Sequence, residues 1–92
     1  MRYKVLENEL YERWDEILER MKVDFDISDV SYRTFIKKLS LYGVKDNTIT
    51  ILIDDTSIGS NSKQFIEQKY NTFLSVAIEE VTNVHYELHF FN

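Results

Sequence analysis

Residues 64–90, QFIEQKYNTFLSVAIEEVTNVHYELHF, contain the change of hydrophobic period that decides the fold. In the first part, apolar residues recur every three or four positions, which predicts a helix with a wide apolar face running to Val81. From Val84 to Phe91, apolar and polar residues alternate, which predicts a strand with one buried face. A long helix that leads directly into a half-buried strand favours a sheet covered by helices.

Helix-terminal signals support the limits of this helix. Asn61 is followed three residues later by Gln64, a spacing that resembles a capping box and predicts the start of the helix. Asn83 is a plausible end, because asparagine tolerates the left-handed conformation that often terminates helices. The residues before this start, DTSIGSNS, are polar and small and predict a loop.

Two further helices are predicted in the first 40 residues. Residues 5–24 place apolar side chains along one stripe at helical spacing. A second, shorter helix is expected to begin at Ser28, a preferred N-cap residue, and to end near Ser40. The stripe of the first helix consists of Leu6, Leu10, Trp14, Ile17, Leu18 and Met21.

A β-hairpin is predicted between the second and third helices. The phrase LYGVKDNTITILID alternates apolar and polar residues after the turn pair Asp46-Asn47, and Gly43 marks a candidate bulge. The order of elements is therefore α-α-β-β-α-β. This order predicts an α+β fold with a three-stranded sheet packed against helices, an arrangement like that of KH domains.

Composition narrows the class of protein. The 92 residues predict a single domain, and the absence of cysteine excludes disulfides and favours a reducing compartment. The net charge is −5, which argues against tight nucleic-acid binding because such binding depends on neutralising phosphates. The short basic phrase RTFIKK allows weak contact at most. No segment reads as a signal peptide or a membrane span, so a cytoplasmic protein is expected.

Candidate chemistry is sparse. His85 and His89, if both lie in the last strand, stand about 13 Å apart, too far to share a metal ion. Asp54 and Asp55 lack the distal glutamate of a calcium loop and read better as loop and capping groups. The phrase SIGSNSK lacks the GK[ST] ending of a phosphate-binding loop. We therefore expect no catalytic residue, no metal and no cofactor.

Four phrases in order resemble one family. They are YERWDEILERM, SYRTFIKKL, DNTITI and the helix–strand segment of residues 64–90. Together they are similar to the N-terminal domain (domain I) of the bacterial replication initiator DnaA. The chain departs from the family in the loop DDTSIGSNS, which is longer, and at Phe35 and Phe65, where the family commonly has tryptophan.

The resemblance implies a non-catalytic interaction module in bacterial DNA replication initiation. Domain I of DnaA self-associates, so a homodimer is expected, and it contacts the replicative helicase and regulators of initiation. On this basis Leu10 and Trp14 are the predicted self-association residues. Since Trp14 also belongs to the apolar stripe, we expect it at the edge of the stripe, partly buried and partly exposed. Thr34, Phe35 and Ile58 are the predicted partner-binding residues. For Trp14 and Phe35 a purely structural role in the core is an equal alternative, since both lie at apolar helical positions.

Other interpretations stay open at this point. A KH-like fold would allow weak binding of single-stranded nucleic acid, although the sequence has no GxxG loop and its charge is acidic. A DnaA-like domain carried by a phage or plasmid could instead intercept the host initiator. The sequence alone also does not separate an excised domain of DnaA from a stand-alone relative.

Overall fold

The computed structural model describes residues 8–59 and 61–92. Within these ranges, the helices are α1 (Trp14–Asp24), α2 (Asp29–Thr34) and α3 (Ser62–Thr82), and a short 3₁₀ turn covers Ile36–Lys38. The strands are β1 (Leu39–Lys45), β2 (Thr48–Ile53) and β3 (Glu87–Phe91). The predicted α+β class and the order of elements are confirmed.

The first predicted helix is continuous with α1. Residues 8–12 are helical and lead into α1 through a turn at Arg13, whose N–H donates to the Glu9 carbonyl at 2.8 Å. Leu6, the first member of the predicted stripe, lies outside the described residues. The stripe members from Leu10 to Met21 are all buried, as the 3.6-residue period requires.

The second predicted helix ends earlier than expected. The Ser28 hydroxyl accepts a hydrogen bond from the Ser31 N–H at 3.1 Å, which confirms the predicted N-cap. However, α2 stops at Thr34 instead of continuing to Ser40. The backbone beyond it finds partners in the sheet: Leu39 pairs with Ile53 in the β1–β2 ladder. Strand pairing therefore overrides the helical spacing of the apolar side chains.

The sheet has the order β1-β2-β3 and is mixed. β1 and β2 form the predicted antiparallel hairpin, and their register shifts between Leu41 and Gly43, which confirms the bulge at this position. β3 runs parallel to β2, with Ile51 opposite Phe90. A parallel pair cannot be joined by a tight turn, so α3 serves as the crossover between the two strands.

The ends of α3 follow the prediction only in part. Asn83 adopts the left-handed conformation at φ 62° and ends the helix, as expected. The predicted capping box is wrong, because the Asn61 side chain makes no capping hydrogen bond. The Ser62 hydroxyl instead donates to the Ile58 carbonyl at 2.7 Å. The last strand is also shorter than predicted, since it begins at Glu87.

The core lies between the inner face of the sheet and the helices. α3 contributes its buried stripe to it, and α1 packs along α3, where the rings of Phe25 and Phe73 stack with centroids 4.3 Å apart. None of the described helices is long and apolar enough to cross a membrane. The fully buried side chains of the core include Ile17, Met21, Ile36, Ile49, Ile51, Ile66, Leu74, Ile78 and Phe90.

Candidate protein-interaction surfaces

Trp14 is a core residue in this structure. Its side chain is only 7% exposed, and its indole Nε1–H donates to the Leu39 carbonyl at 3.0 Å. β1 lies at the edge of the sheet, so this carbonyl has no strand partner on its outer side, and the indole satisfies it. The bond therefore ties α1 to the edge of the sheet. Partial exposure of Trp14, expected from the sequence, is wrong here.

Leu10 is buried as well, at 1% exposure. Neither Leu10 nor Trp14 presents a broad side-chain surface to solvent, although Trp14 borders a groove beside β1. Their predicted part in self-association stays a prediction. Tyr11, which lies between them on the helix, is 48% exposed and donates from its hydroxyl to the Tyr42 carbonyl at 3.3 Å. A partner that contacts this helix would therefore meet the exposed Tyr11 before the buried Leu10 and Trp14.

Phe35 belongs to an aromatic cluster that is partly open to solvent. Its ring lies 5.0 Å from that of Phe65 and 6.4 Å from that of Tyr70, measured between centroids. Phe65 is 43% exposed, whereas Tyr70 is buried. The Lys69 ammonium lies 5.4 Å from the Phe65 centroid and 5.6 Å from that of Tyr70. We call Phe35, Phe65, Tyr70 and Lys69 the aromatic patch.

The other two predicted partner-binding residues lie close to this patch along the chain. Thr34 is the last residue of α2, directly before Phe35, and is half-buried. Ile58 is half-buried and packs against the core, and its carbonyl accepts the hydrogen bond from Ser62 at the start of α3. The structure therefore places Thr34 at the end of α2 and Ile58 shortly before the start of α3. Phe65 is the fourth residue of α3.

Three members of the patch, Phe65, Tyr70 and Lys69, were not singled out as site residues by the sequence, and Phe65 is the exposed ring among them. The helical spacing places Phe65 on the wide apolar face of α3, but it lies at the exposed margin of that face. The usable signal was the pair Phe35 and Phe65, the two positions at which the family commonly has tryptophan. Only the tertiary structure shows that these two rings touch.

Two side-chain pairs, each with at least one carboxyl group, join α1 to the neighbouring helices. A hydrogen bond with the Asp24 carboxyl raises the pKa of Glu80, and loss of hydration and the negative charge of Asp24 act in the same direction. Asp29 has the opposite shift, because its hydrogen bond and 2.8 Å ion pair with Lys22 lower its pKa. The first pair links the end of α1 to the end of α3, and the second links α1 to the start of α2.

Asp54 and His85, whose residue types are common metal ligands, make local contacts instead. Asp54 closes a turn, because its Oδ1 accepts from the Thr56 N–H at 3.2 Å and from the Thr56 hydroxyl at 2.7 Å. His85 precedes β3 and does not share the strand with His89; its Nδ1 lies 3.2 Å from the Glu79 carboxylate. Among the described residues, no group of three or more His, Cys, Asp or Glu side chains could hold a metal ion.

The chain folds into a small α+β domain built on a three-stranded mixed sheet, and this domain carries the aromatic patch on its surface. No protein-family model matches the chain. Over 81 residues, or 88% of its length, the chain is 47% identical to the chromosomal replication initiator protein DnaA of Lachnoclostridium phytofermentans. The chain spans 18% of the length of that relative. This similarity confirms the predicted resemblance to DnaA and is consistent with its N-terminal domain.

Proposed function

We propose that this chain is a single non-catalytic domain that mediates protein–protein contacts in the initiation of bacterial chromosomal replication. The similarity of the chain to a chromosomal replication initiator protein supports its assignment to replication initiation. The proposed partners are DnaA itself, the replicative helicase and regulators of initiation, and the proposed location is the cytoplasm.

The observation that carries the proposal is the aromatic patch. Phe65 exposes 43% of its surface beside the half-buried Phe35, and Lys69 covers part of the same cluster. Aromatic side chains of this kind supply most of the binding energy of small interfaces, because they bury a large rigid area at little cost in conformational entropy. The buried Tyr70 beneath supports the exposed ring. The patch thus offers a pre-formed anchor for a partner.

Self-association is proposed to depend on the first helix. Because Leu10 and Trp14 are buried, they would act by holding the helix against the sheet, and the exposed Tyr11 would make contact. Sedimentation of the wild type and Tyr11→Ala tests this directly. A weaker association constant for Tyr11→Ala supports the role of this face. An unchanged constant, or a wild-type monomer at high concentration, would reject it.

The experiment that tests the main proposal is a pull-down from the native host with tagged wild type, Phe65→Ala and Tyr42→Ala. Tyr42 is a matched control, because it is an aromatic residue that is 65% exposed and lies outside the patch, on β1. We expect helicase or DnaA to be enriched by the wild type and by Tyr42→Ala. Phe65→Ala should reduce the recovery of the helicase at least about fivefold, which corresponds to the loss of one interface anchor.

Two results would contradict the proposal. If neither DnaA nor helicase is enriched by the wild type, the assignment to replication initiation fails. If Phe65→Ala and Tyr42→Ala reduce recovery equally while circular dichroism shows both variants folded, the aromatic patch is not the contact surface.

A further inference from the structure

The two outer strands of the sheet differ in how their free edges are protected. In β1 a bulge follows Leu41 and interrupts the regular edge. The Trp14 indole donates to the Leu39 carbonyl at 3.0 Å. The Tyr11 hydroxyl donates to the Tyr42 carbonyl at 3.3 Å. Bulges and covering groups prevent an edge strand from pairing with another chain, so the β1 edge is closed.

The edge of β3 has no such protection within residues 8–59 and 61–92. The sheet order is β1-β2-β3, so β3 has a neighbouring strand on one side only. Its residues, ELHFF, include no proline and no lysine. Its register with β2 is continuous from the pair Thr48–Glu87 to the pair Leu52–Phe91, so no bulge bends the strand. A regular, uncovered edge of this kind can pair with a further strand.

The backbone groups on the open side of β3 belong to Leu88 and Phe90. The Glu87 N–H donates to the Asn47 carbonyl at 2.8 Å, so Glu87 directs its backbone groups towards β2. Because this direction alternates along a strand, the backbone groups of His89 also point towards β2. The N–H and C=O groups of Leu88 and Phe90 therefore point away from the sheet. Among the described strands, none pairs with them.

A groove of about 320 Å³ lies beside this edge, between α3 and β3. Val76 of α3 lines the groove and is 40% exposed, and Leu88 of β3 lines it and is half-buried. Leu88 is paired with the fully buried Ile49, so its side chain lies on the helical face of the sheet. A strand added to β3 would place its own side chains over this groove and cover the apolar surface of Val76 and Leu88.

We propose that β3 pairs with β3 of a second copy of this chain, antiparallel and centred on His89. This register places Leu88 of each copy opposite Phe90 of the other, and their outward backbone groups form four hydrogen bonds around the two-fold axis. In a chain of net charge −5, Glu87 is the only charged residue of β3. It lies opposite Phe91 of the other copy, so the pairing brings no like charges together.

The difference between the two edges favours a closed dimer. Pairing of β3 with the β1 edge of another copy would repeat without limit and form a filament. The β1 bulge and the bonds from Trp14 and Tyr11 prevent this arrangement. Pairing of β3 with β3 uses both open edges and ends at two copies, in which the two sheets become one continuous sheet.

The size of the contact indicates a weak dimer. Five residues of strand are about 17 Å long. With the groove beside them, they cover much less than the roughly 800 Å² per partner of a standard stable interface. We therefore expect a dissociation constant of about 0.1–1 mM. The inference rests on the proposed self-association and adds a second surface to the face of the first helix.

The test compares two variants of one residue by sedimentation equilibrium of the full chain. Leu88→Ala removes the apolar side chain, and Leu88→Pro removes the same side chain together with the outward N–H. Because this N–H does not bond to β2, proline at this position leaves the β2–β3 ladder in place. Far-UV circular dichroism checks that both variants are folded.

We expect a dimer in the wild type and a dissociation constant raised at most about threefold in Leu88→Ala. In Leu88→Pro the constant should rise at least about tenfold, because two of the four hydrogen bonds between the copies are lost. Association of Leu88→Pro as tight as that of Leu88→Ala would show that the β3 edge is not used.

Amide hydrogen exchange of the wild type is a second measurement that needs no variant. The N–H groups of Leu88 and Phe90 should exchange at least about twofold more slowly at about 1 mM protein than at about 20 μM. The His89 N–H is the control, since it points towards β2 and should exchange at the same rate at both concentrations. Exchange of Leu88 and Phe90 that does not depend on concentration would contradict the pairing.

Two further results would overturn the inference. A wild type that stays monomeric at about 1 mM removes the second copy as the occupant of the edge. Association that continues beyond the dimer rejects the closed pairing. The failure of this inference is distinguishable from that of the proposed function. If Tyr11→Ala weakens association but Leu88→Pro does not differ from Leu88→Ala, only the β3 edge is rejected. If the dimer forms through β3 but the pull-down recovers no replication protein, only the role in replication is rejected.

Discussion

Trp14 and Phe35 are both aromatic residues at apolar helical positions, but the fold treats them differently. Trp14 is 7% exposed and donates its indole N–H to the edge of the sheet. Phe35 is half-buried and touches Phe65, which is 43% exposed. The first site stabilises the domain, and the second leaves aromatic surface available to a partner. The position of an aromatic residue on an apolar stripe therefore shows only that one side of its ring is buried. The residues packed around the ring determine how much of it stays exposed.

The largest effect is expected for Trp14→Ala. Removing a buried tryptophan leaves a cavity and should lower the free energy of unfolding by about 3–5 kcal/mol. Urea denaturation followed by far-UV circular dichroism measures this. Trp14→Phe is the control that keeps most of the ring but removes the donor to the Leu39 carbonyl. It should cost about 1–3 kcal/mol, the penalty for an unsatisfied buried acceptor. A loss below about 1 kcal/mol for Trp14→Ala would place this residue outside the core.

An intermediate effect is expected for Phe35→Ala. Since its ring is half-buried between Phe65 and Tyr70, the substitution should cost about 1–3 kcal/mol of unfolding free energy, less than for a fully buried ring. The same urea titration gives the value. A loss as large as that of Trp14→Ala would erase the distinction between the two sites.

A smaller effect is expected for Phe65→Ala. The exposed ring contributes mainly its contact with Phe35, so the loss should be about 0.5–1 kcal/mol. Thermal unfolding of Phe65→Ala and Phe35→Ala, carried out in parallel, measures the difference in stability between the two variants. This near-neutral stability is what makes Phe65→Ala suitable for binding experiments. A larger loss would show that the patch is part of the core.

The smallest effect concerns charge at the end of α1. Asp24→Asn should return the pKa of Glu80 towards its ordinary value, because the hydrogen bond with the Asp24 carboxyl and its negative charge raise that pKa. In the wild type, the folded protein binds the Glu80 proton more tightly than the unfolded chain does. This site therefore adds stability as the pH falls through the raised pKa, and the addition is complete below the ordinary glutamate value.

NMR titration of the Glu80 side-chain carboxyl carbon measures the change. Asp26→Asn is the control, since it removes one charge from the neighbouring turn, where asparagine tolerates the positive φ of 52°. An unaltered Glu80 pKa in Asp24→Asn would mean that the two carboxyl groups do not interact. Asp29 should behave in the opposite way: its lowered pKa supports the fold above the ordinary aspartate value, and that support is lost on acidification.

Much of the fold was predictable because several signals are local. The 3.6-residue period of α3, the Asp46-Asn47 turn and the Ser28 cap depend on neighbouring residues, and all three appear in the structure. The end of α2 was not predictable, since Leu39 continues the helical spacing but pairs with Ile53 across the sheet. The Asn61 cap failed for a related reason, because Ser62 reaches the Ile58 carbonyl instead.

The sequence by itself determined the order of the elements, the α+β class and the resemblance to DnaA, because period, turn residues and caps act over a few positions. Only the tertiary structure decided which aromatic residues are buried and which are exposed. It joined Phe35 to Phe65 across 30 positions of the chain, and it placed Tyr32 beside Asp15 and Glu19 in one groove. Such contacts depend on how the helices pack around the sheet, which no local pattern specifies.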